Sequence, residues 1–196
     1  MSTLDRVVRW EPGARERLQG AAIALFVERG YEQTTVQDIA GRAGLTERTF
    51  FRHFADKREV LFVGQDEYAA HFLRGVAEAP DAAPFGLAVA AITAAADFFP
   101  EERRPWSRHR QTVIDANAAL QERELLKRAS LVTTLTAALR DRGVAASDAS
   151  LAAETAVAAF HVAFRRWIAE GEDRSLLEIE QEVLGRLAAI VPAAAS

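Results

Sequence analysis

The 196-residue chain contains no cysteine. Disulfide staples, thiol redox sensing and cysteine-based metal or nucleophile chemistry are therefore excluded. Long apolar runs are missing as well. No segment approaches the roughly 18 continuous apolar residues of a membrane-spanning helix, and Met1 to Arg6 lack the apolar segment of a secretory signal. These two absences lead to the expectation of a cytoplasmic protein with no membrane partner. Almost no stretch alternates apolar and polar residues with period two, so strands are not expected. Internal repeats and low-complexity tracts are lacking, although alanine is frequent. Catalytic signatures are missing too: there is no Gly-x-Ser-x-Gly elbow, no phosphate-cradling glycine loop and no His-Glu-x-x-His pair. The four histidines, His53, His71, His109 and His161, are scattered. Glu101 and Glu102 read as a solvated loop. No catalytic residue, metal site or cofactor is expected, and an enzyme is not indicated.

What is present is most concentrated between Thr34 and Lys57. Thr35 followed by Asp38 is a helix-start pattern, and Val36, Ile39, Ala40 and Ala43 then recur on one helical face. Gly44 stands where a chain leaving a helix enters the left-handed region at low steric cost. Leu45 can plug the angle and Thr46 can cap the next helix. The pattern predicts a helix at about 35–43, a turn, and a second helix at about 47–54, the layout of a DNA-reading helix-turn-helix. Taken alone, a tight helical hairpin inside any all-helical protein would read the same way.

The flanking residues favour the DNA reading. Leu18, Ala21, Ala22, Leu25 and Phe26 form an apolar stripe on a helix opened by Pro12 and closed by Gly30, long enough to brace the hairpin. Asp56 and Glu59 form another cap pattern, with Lys57 and Arg58 in a first turn where the helix dipole favours acids. That placement suggests a nearby phosphate. The whole chain is acidic, at net −4, yet from Gly41 to Arg58 the cations Arg42, Arg48, Arg52, Lys57 and Arg58 outnumber Glu47 and Asp56. A local basic face of this kind, doubled in a dimer, predicts salt-dependent phosphate binding. Arg6 and Arg9 could form an arm to the groove or a plain tail.

Residues 12 to about 62 resemble the N-terminal domain of the TetR family of transcriptional regulators. The resemblance is carried by Leu25-Phe26, Gly30-Tyr31, Thr34-Thr35-Val36, Ile39-Ala40, Ala43-Gly44-Leu45-Thr46, Thr49-Phe50-Phe51, His53-Phe54 and Lys57. It implies an all-α homodimer whose larger C-terminal domain binds a small-molecule effector and so controls affinity for a pseudo-palindromic double-stranded DNA operator. It further implies phosphate contacts from Thr35 and Thr46 at helix starts and from Lys57, with Glu47, Arg48, Thr49 and Arg52 on the exposed side of the recognition helix. Arg48 can fork onto guanine O6 and N7, at ~1–3 kcal/mol of discrimination, or contact phosphate only. Phe51 stands where many relatives have a tyrosine that meets phosphate, so that bond is lacking, and its ring can pack on sugar or a thymine methyl. His53 can donate to phosphate or remain a solvated surface residue. Phe50 and Phe54 read as core.

The remaining chain has the length for a second helical domain, giving expected domains of 1–60 and 61–196 and about nine helices. A long fourth helix is expected at 56–78, broken by Pro80 and Pro84, with further helices at about 85–99, 106–117, 119–142 and 148–170 and a last one capped by Ser175 and Glu178. The final two helices carry more than one apolar stripe. A second stripe needs a second partner, most simply the same helices of another subunit, although a thoroughly buried pair in a monomer would also fit. The expected interface is Leu151, Thr155, Ala159 and Val162 with Ile179, Val183, Leu187 and Ile190. The alternative stripe of the last helix is Leu177, Leu184, Ala188 and Val191. Tyr68, His71, Phe72, Phe98, Phe99, Trp106, Val113, Phe160, Phe164 and Trp167 are candidate walls of an effector pocket, with Asn117 and His161 among its polar groups. Ordinary core packing would place the same aromatics inside. Arg104 to Arg128 resembles, more loosely, an actinobacterial subgroup of the family with acyl-CoA-like or hydrophobic effectors. Repression relieved by an effector is expected. A rival reading is a small-molecule or lipid carrier of the same fold that does not bind DNA, against which the basic residues of the recognition helix count.

Overall fold

The computed structural model describes residues 13–190 and contains nine α-helices and no strand among them. The chain divides into two compact units, one ending at Val63 and one starting at Gly64, three residues later than expected. Pro12, Arg6, Arg9 and Val191 lie outside the described residues.

In the first unit, α1 (Ala14–Arg29), α2 (Val36–Arg42) and α3 (Glu47–His53) are followed by a 3-10 turn, Glu59–Phe62. The apolar stripe of α1 buries Leu18, Ala22, Leu25 and Phe26 together with Ile39 and Ala40 of α2, Phe50 of α3, and Val60 and Leu61 of the turn. Burying large apolar side chains of this kind contributes roughly 1.5–3 kcal/mol each. It is what holds two seven-residue helices that would not persist alone.

The continuous fourth helix expected from residue 56 is not formed. Asp56 does accept backbone N–H groups, from Arg58 at 2.8 Å and Glu59 at 3.2 Å, but what it starts is the single 3-10 turn. Val63 is then extended and Gly64 takes φ +81°, a conformation disfavoured for any residue with a Cβ. The helix proper, α4, begins only at Gln65 and ends at Glu78.

The second unit continues with α5 (Pro84–Ala95), α6 (Arg104–Asp115), α7 (Ala118–Asp141), α8 (Ala146–Trp167) and α9 (Leu176–Ile190). Short 3-10 turns, Ala96–Phe98 and Glu101–Arg103, connect α5 to α6. Helix α8 packs against α5, α7 and α9. It can approach all three because its buried face alternates Ala149, Ala152, Ala153, Ala156 and Ala163 with Phe160, Phe164 and Trp167. Helices α4 and α5 approach so closely that a Cβ on Gly75 would collide with the Ala90 carbonyl oxygen. Ser175 and Glu178 form the expected capping box before α9: the Ser175 N–H donates to the Glu178 carboxylate at 2.8 Å, and the Glu178 N–H donates to Ser175 Oγ at 3.3 Å.

Candidate functional site

The geometry of the helix-turn-helix follows from its caps. Thr35 Oγ1 accepts the Asp38 N–H at 3.1 Å while the Asp38 carboxylate accepts the Thr35 N–H at 2.9 Å, a reciprocal box that fixes the start of α2. Gly44 at φ +65° makes the turn, the Leu45 N–H returns to the Ala40 carbonyl at 2.8 Å, and Arg17 of α1 donates to the Ala43 carbonyl. Thr46 Oγ1 accepts the Thr49 N–H at 3.2 Å and starts α3. With Phe50 and Phe54 buried, the opposite side of α3 presents Glu47, Arg48, Phe51, Arg52 and His53 to solvent, with Thr49 half-buried; Phe51 is 55% exposed.

The cations of this face are not equivalent. Arg42 forks onto Glu28 through two 2.7 Å hydrogen bonds, and Arg58 pairs with Asp56 at 2.6 Å, so their charges are largely offset. These contacts hold the Glu28 and Asp56 carboxyls below the usual range. Among the described residues, Arg48 and Arg52 make no hydrogen bond or ion pair, which leaves two whole guanidinium groups on the exposed side of α3.

Lys57 is employed differently from the phosphate contact expected of it. Its ammonium donates to the carbonyls of Tyr31 at 2.8 Å, Thr34 at 3.0 Å and Glu32 at 3.4 Å and lies 4.3 Å from the Tyr31 ring centroid. An ammonium has three donors, and all are engaged inside the unit. Lys57 therefore fastens the loop between α1 and α2.

In the second unit, eight of the residues expected to wall a pocket come together as one stack of rings. Tyr68 lies 4.9 Å from Phe72, 5.5 Å from Phe98 and 5.7 Å from Phe99, and Phe99 reaches Phe164 at 5.1 Å and Trp167 at 5.8 Å. Phe160 stacks on Phe164 and His71 edges Phe98. Trp106 joins only through the Arg103 guanidinium, which lies 3.9 Å from the Phe98 ring centroid and 5.7 Å from that of Trp106. Three expected members are placed elsewhere. Val113 is buried on α6 outside this core. Asn117 is the cap of α7, its side-chain Oδ1 accepting the Leu120 N–H at 3.2 Å. His161 is half-buried outside the rings, and burial with the Arg128 charge keeps its pKa low.

Two features near the rings were missed by sequence reasoning. Arg103 covers Phe98 and donates to its carbonyl at 3.1 Å. Glu180 on α9 is 1% exposed, and neither carboxyl oxygen has a hydrogen-bond partner; burial pushes its pKa up to about 8. A charge inside the otherwise apolar face Leu176, Ile179 and Val183 was the signal available for the second.

The expected dimer stripe also divides. Ile179, Val183 and Ala159 belong to the core of their own subunit, so the α9 face chosen for the partner is turned inward, a correction. The α9 residues left outside include Leu177 and Ala188, with Leu184 partly covered. On α8 the outward stripe is Leu151, 70% exposed, Ala158 and Val162, 50% exposed, with Thr155 half-buried. Ile190 is exposed and Leu187 half-buried.

A capped hairpin with an unpaired basic outer face, joined in one chain to a separate helical unit, defines a DNA-binding protein of the helix-turn-helix class. Residues 20–62 match the family described as bacterial regulatory proteins, tetR family, and residues 83–192 match the MftR C-terminal domain. The chain belongs to the TetR family of transcriptional regulators. It is 40% identical over 70 residues to the transcriptional repressor KstR2 of Mycobacterium tuberculosis, a match covering 36% of this chain and 33% of that repressor. The chain thus spans about a third of that curated relative. Across the whole fold it is similar to a TetR-family regulator of Syntrophomonas wolfei (TM-score 0.66, 17% identity, 92% of this chain and 96% of that one). It is also similar to the SmeT–triclosan complex (TM-score 0.63, 24% identity, 92% and 96%), SmeT being the repressor of a Stenotrophomonas maltophilia multidrug efflux pump. No helix of the described residues is long and apolar enough to cross a membrane.

Proposed function

We propose that this regulator is a cytoplasmic homodimeric repressor that leaves its operator when a small hydrophobic or aromatic effector enters the ring stack of the second unit. The observation that carries the DNA half is the pair of unpaired guanidinium groups, Arg48 and Arg52, on the exposed side of α3. Arg48 is assigned to a base edge. Thr35, Thr46, Thr49, Arg52 and His53 are assigned to the backbone, with Glu47 and Phe51 at the groove. Lys57 contributes charge and holds the loop before α2.

Two such helices read successive major grooves when spaced about one turn of duplex, roughly 34–36 Å, which is why a dimer and a pseudo-palindromic operator belong to the reading. The dimer is assigned to the outward stripes of α8 and α9, Leu151, Ala158 and Val162 with Leu177, Leu184 and Ala188. Because the rings touch one another, an effector must part them. It can shift the equilibrium only by the difference in its affinity for the two arrangements. SmeT, with triclosan bound, offers a parallel on a similar fold.

The test is fluorescence anisotropy of the protein on the DNA upstream of its own gene, with random duplex as competitor, at two salt concentrations. Tight, selective, salt-sensitive binding by a dimer is expected. Equal affinity for random duplex there, and for every sequence recovered from a genome-wide selection, would overturn the operator reading.

A further inference from the structure

The rings of the second unit make an apolar surface, but apolar surface alone does not choose a ligand. The choice is made by the polar groups the surface contains, and those already engaged in the protein are poor candidates. Arg110 and Gln111 both bond Glu124, at 2.9 and 3.1 Å. Arg104 donates to the carbonyls of Glu172 and Arg174. Asn117 caps a helix.

Glu180 differs from all of these. It lies on the inward face of α9, among Leu176, Ile179 and Val183, where α9 packs on the helix that carries Phe160, Phe164 and Trp167. Its carboxyl is close enough to Tyr68 for its charge to act on the tyrosine hydroxyl. Yet it makes no hydrogen bond, and among the described residues no cation acts on it. A carboxyl group buried without a partner is destabilising in the free protein, and that loss is recovered by a molecule that supplies the missing partner.

We infer that Glu180 is the polar anchor of the effector site, and that it selects an apolar or aromatic molecule carrying a basic nitrogen. This inference rests on the ring stack being the effector site. Neutral, the carboxyl keeps one unmet O–H donor; ionised, it is an acceptor only, with two oxygens whose capacity is unmet. An ammonium or amidinium group satisfies it by donating and by offsetting the charge of the ionised carboxylate. An alcohol satisfies part of it, and Glu180 offers no positive charge to offset that of an anionic head. Attachment of a protonated amine to the neutral carboxyl forms an ammonium–carboxylate pair and releases one proton to solvent, with no other bond made or broken.

The test uses the full-length protein and three probes of one chain length, dodecylamine, dodecanol and dodecanoate, titrated by calorimetry in two buffers of different ionisation enthalpy at pH 7. We expect the amine to bind at least ten-fold more tightly than the alcohol, dodecanoate to bind most weakly, and amine binding to release close to one proton. In Glu180→Gln the amine preference and the proton release should both disappear, leaving amine and alcohol with similar affinity. Glu180→Leu, which replaces the carboxyl by an apolar group, should give the same result if the amide perturbs packing. Amine and alcohol binding alike in the wild type, or a preference that survives both substitutions, would overturn the role of Glu180 alone. Binding of none of the three would overturn the ring stack as an effector site, and this inference with it.

Discussion

Lys57 and Tyr31 are joined twice: the ammonium donates to the Tyr31 carbonyl at 2.8 Å and lies 4.3 Å from the centroid of the Tyr31 ring. Burial pushes the Tyr31 hydroxyl up to about 12, so the ring is neutral throughout the working pH range. Removing the ammonium by Lys57→Met leaves the Tyr31 and Thr34 carbonyls without this donor and loosens the loop ahead of α2. We expect a loss of about 1–2 kcal/mol in urea unfolding. DNA affinity should fall only as far as the fraction folded falls, which anisotropy at a denaturant-free protein excess would measure. An unchanged midpoint with weakened DNA binding would return Lys57 to the phosphate.

The unpaired side chains of α3 should separate by sequence dependence. Arg48→Ala should lose ~1–3 kcal/mol on the operator and little on random duplex. Arg52→Ala should weaken both alike and reduce the salt slope by about one. Affinity measured for operator and random duplex over a salt series gives both quantities, and equal behaviour of the two variants would remove the assignment of roles.

Glu180 also predicts how stability depends on pH. Its pKa in the folded protein is raised to about 8, from an ordinary value of 4.5, by burial. The folded state therefore holds the proton more tightly than the unfolded chain. The stability this confers is present below about 4.5 and is lost as pH rises through 8, at roughly 1.4 kcal/mol per pH unit within that window. Tyr68 is neutral there because burial, opposed by Arg110 and assisted by Glu180 and Glu124, holds its pKa above the ordinary value. Thermal unfolding of the wild type should fall from pH 5 to pH 8 more steeply than that of Glu180→Gln. The two curves should converge at the acidic end.

Outward and inward residues of the last two helices should give opposite phenotypes. Leu151→Glu combined with Val162→Glu places charges on the exposed stripe of α8; light scattering should find the wild type dimeric and this variant monomeric at the same concentration, a weakening of ten-fold or more. Ile179→Ala, at a fully buried position, should keep the dimer and lose about 2–5 kcal/mol of stability. A dimer indifferent to the paired glutamates would relocate the interface.

These contrasts mark how far local sequence carries. The hairpin was legible because its determinants act within a few residues: Thr35 with Asp38, Gly44 alone, Thr46 with Thr49. Ser175 and Glu178 announced α9 for the same reason. Lys57 was legible as a charge, but the carbonyls it binds come from a loop more than twenty residues away, and no spacing rule brings them together. The fourth helix was extended too far because Asp56 and Glu59 carry a cap pattern that a 3-10 turn satisfies equally well, and because Gly64 inside an apolar run does not reveal its φ. The two stripes of α9 were visible, whereas which one faced inward depended on α8, whose alanines admit Ile179 and Val183. Glu180 was overlooked because stripes were traced by apolar residues alone, which leaves a carboxyl between them without a role.

Gly75 leaves no room for a side chain between α4 and the Ala90 carbonyl, and Arg142 of α7 ties down the end of α4 through the carbonyls of Val76 and Ala79. Interlocked in this way, α4 and α5 resist sliding past one another and form one antiparallel pair. Phe98 and Phe99 follow α5 directly in the chain, and Val63–Gly64 precedes α4. Those two points lie at the same end of the pair, where a Cβ on Gly64 would come within 3.2 Å of the Phe98 ring, so a molecule that parts the rings, as proposed, acts directly beside the covalent joint that leads to the DNA-reading unit.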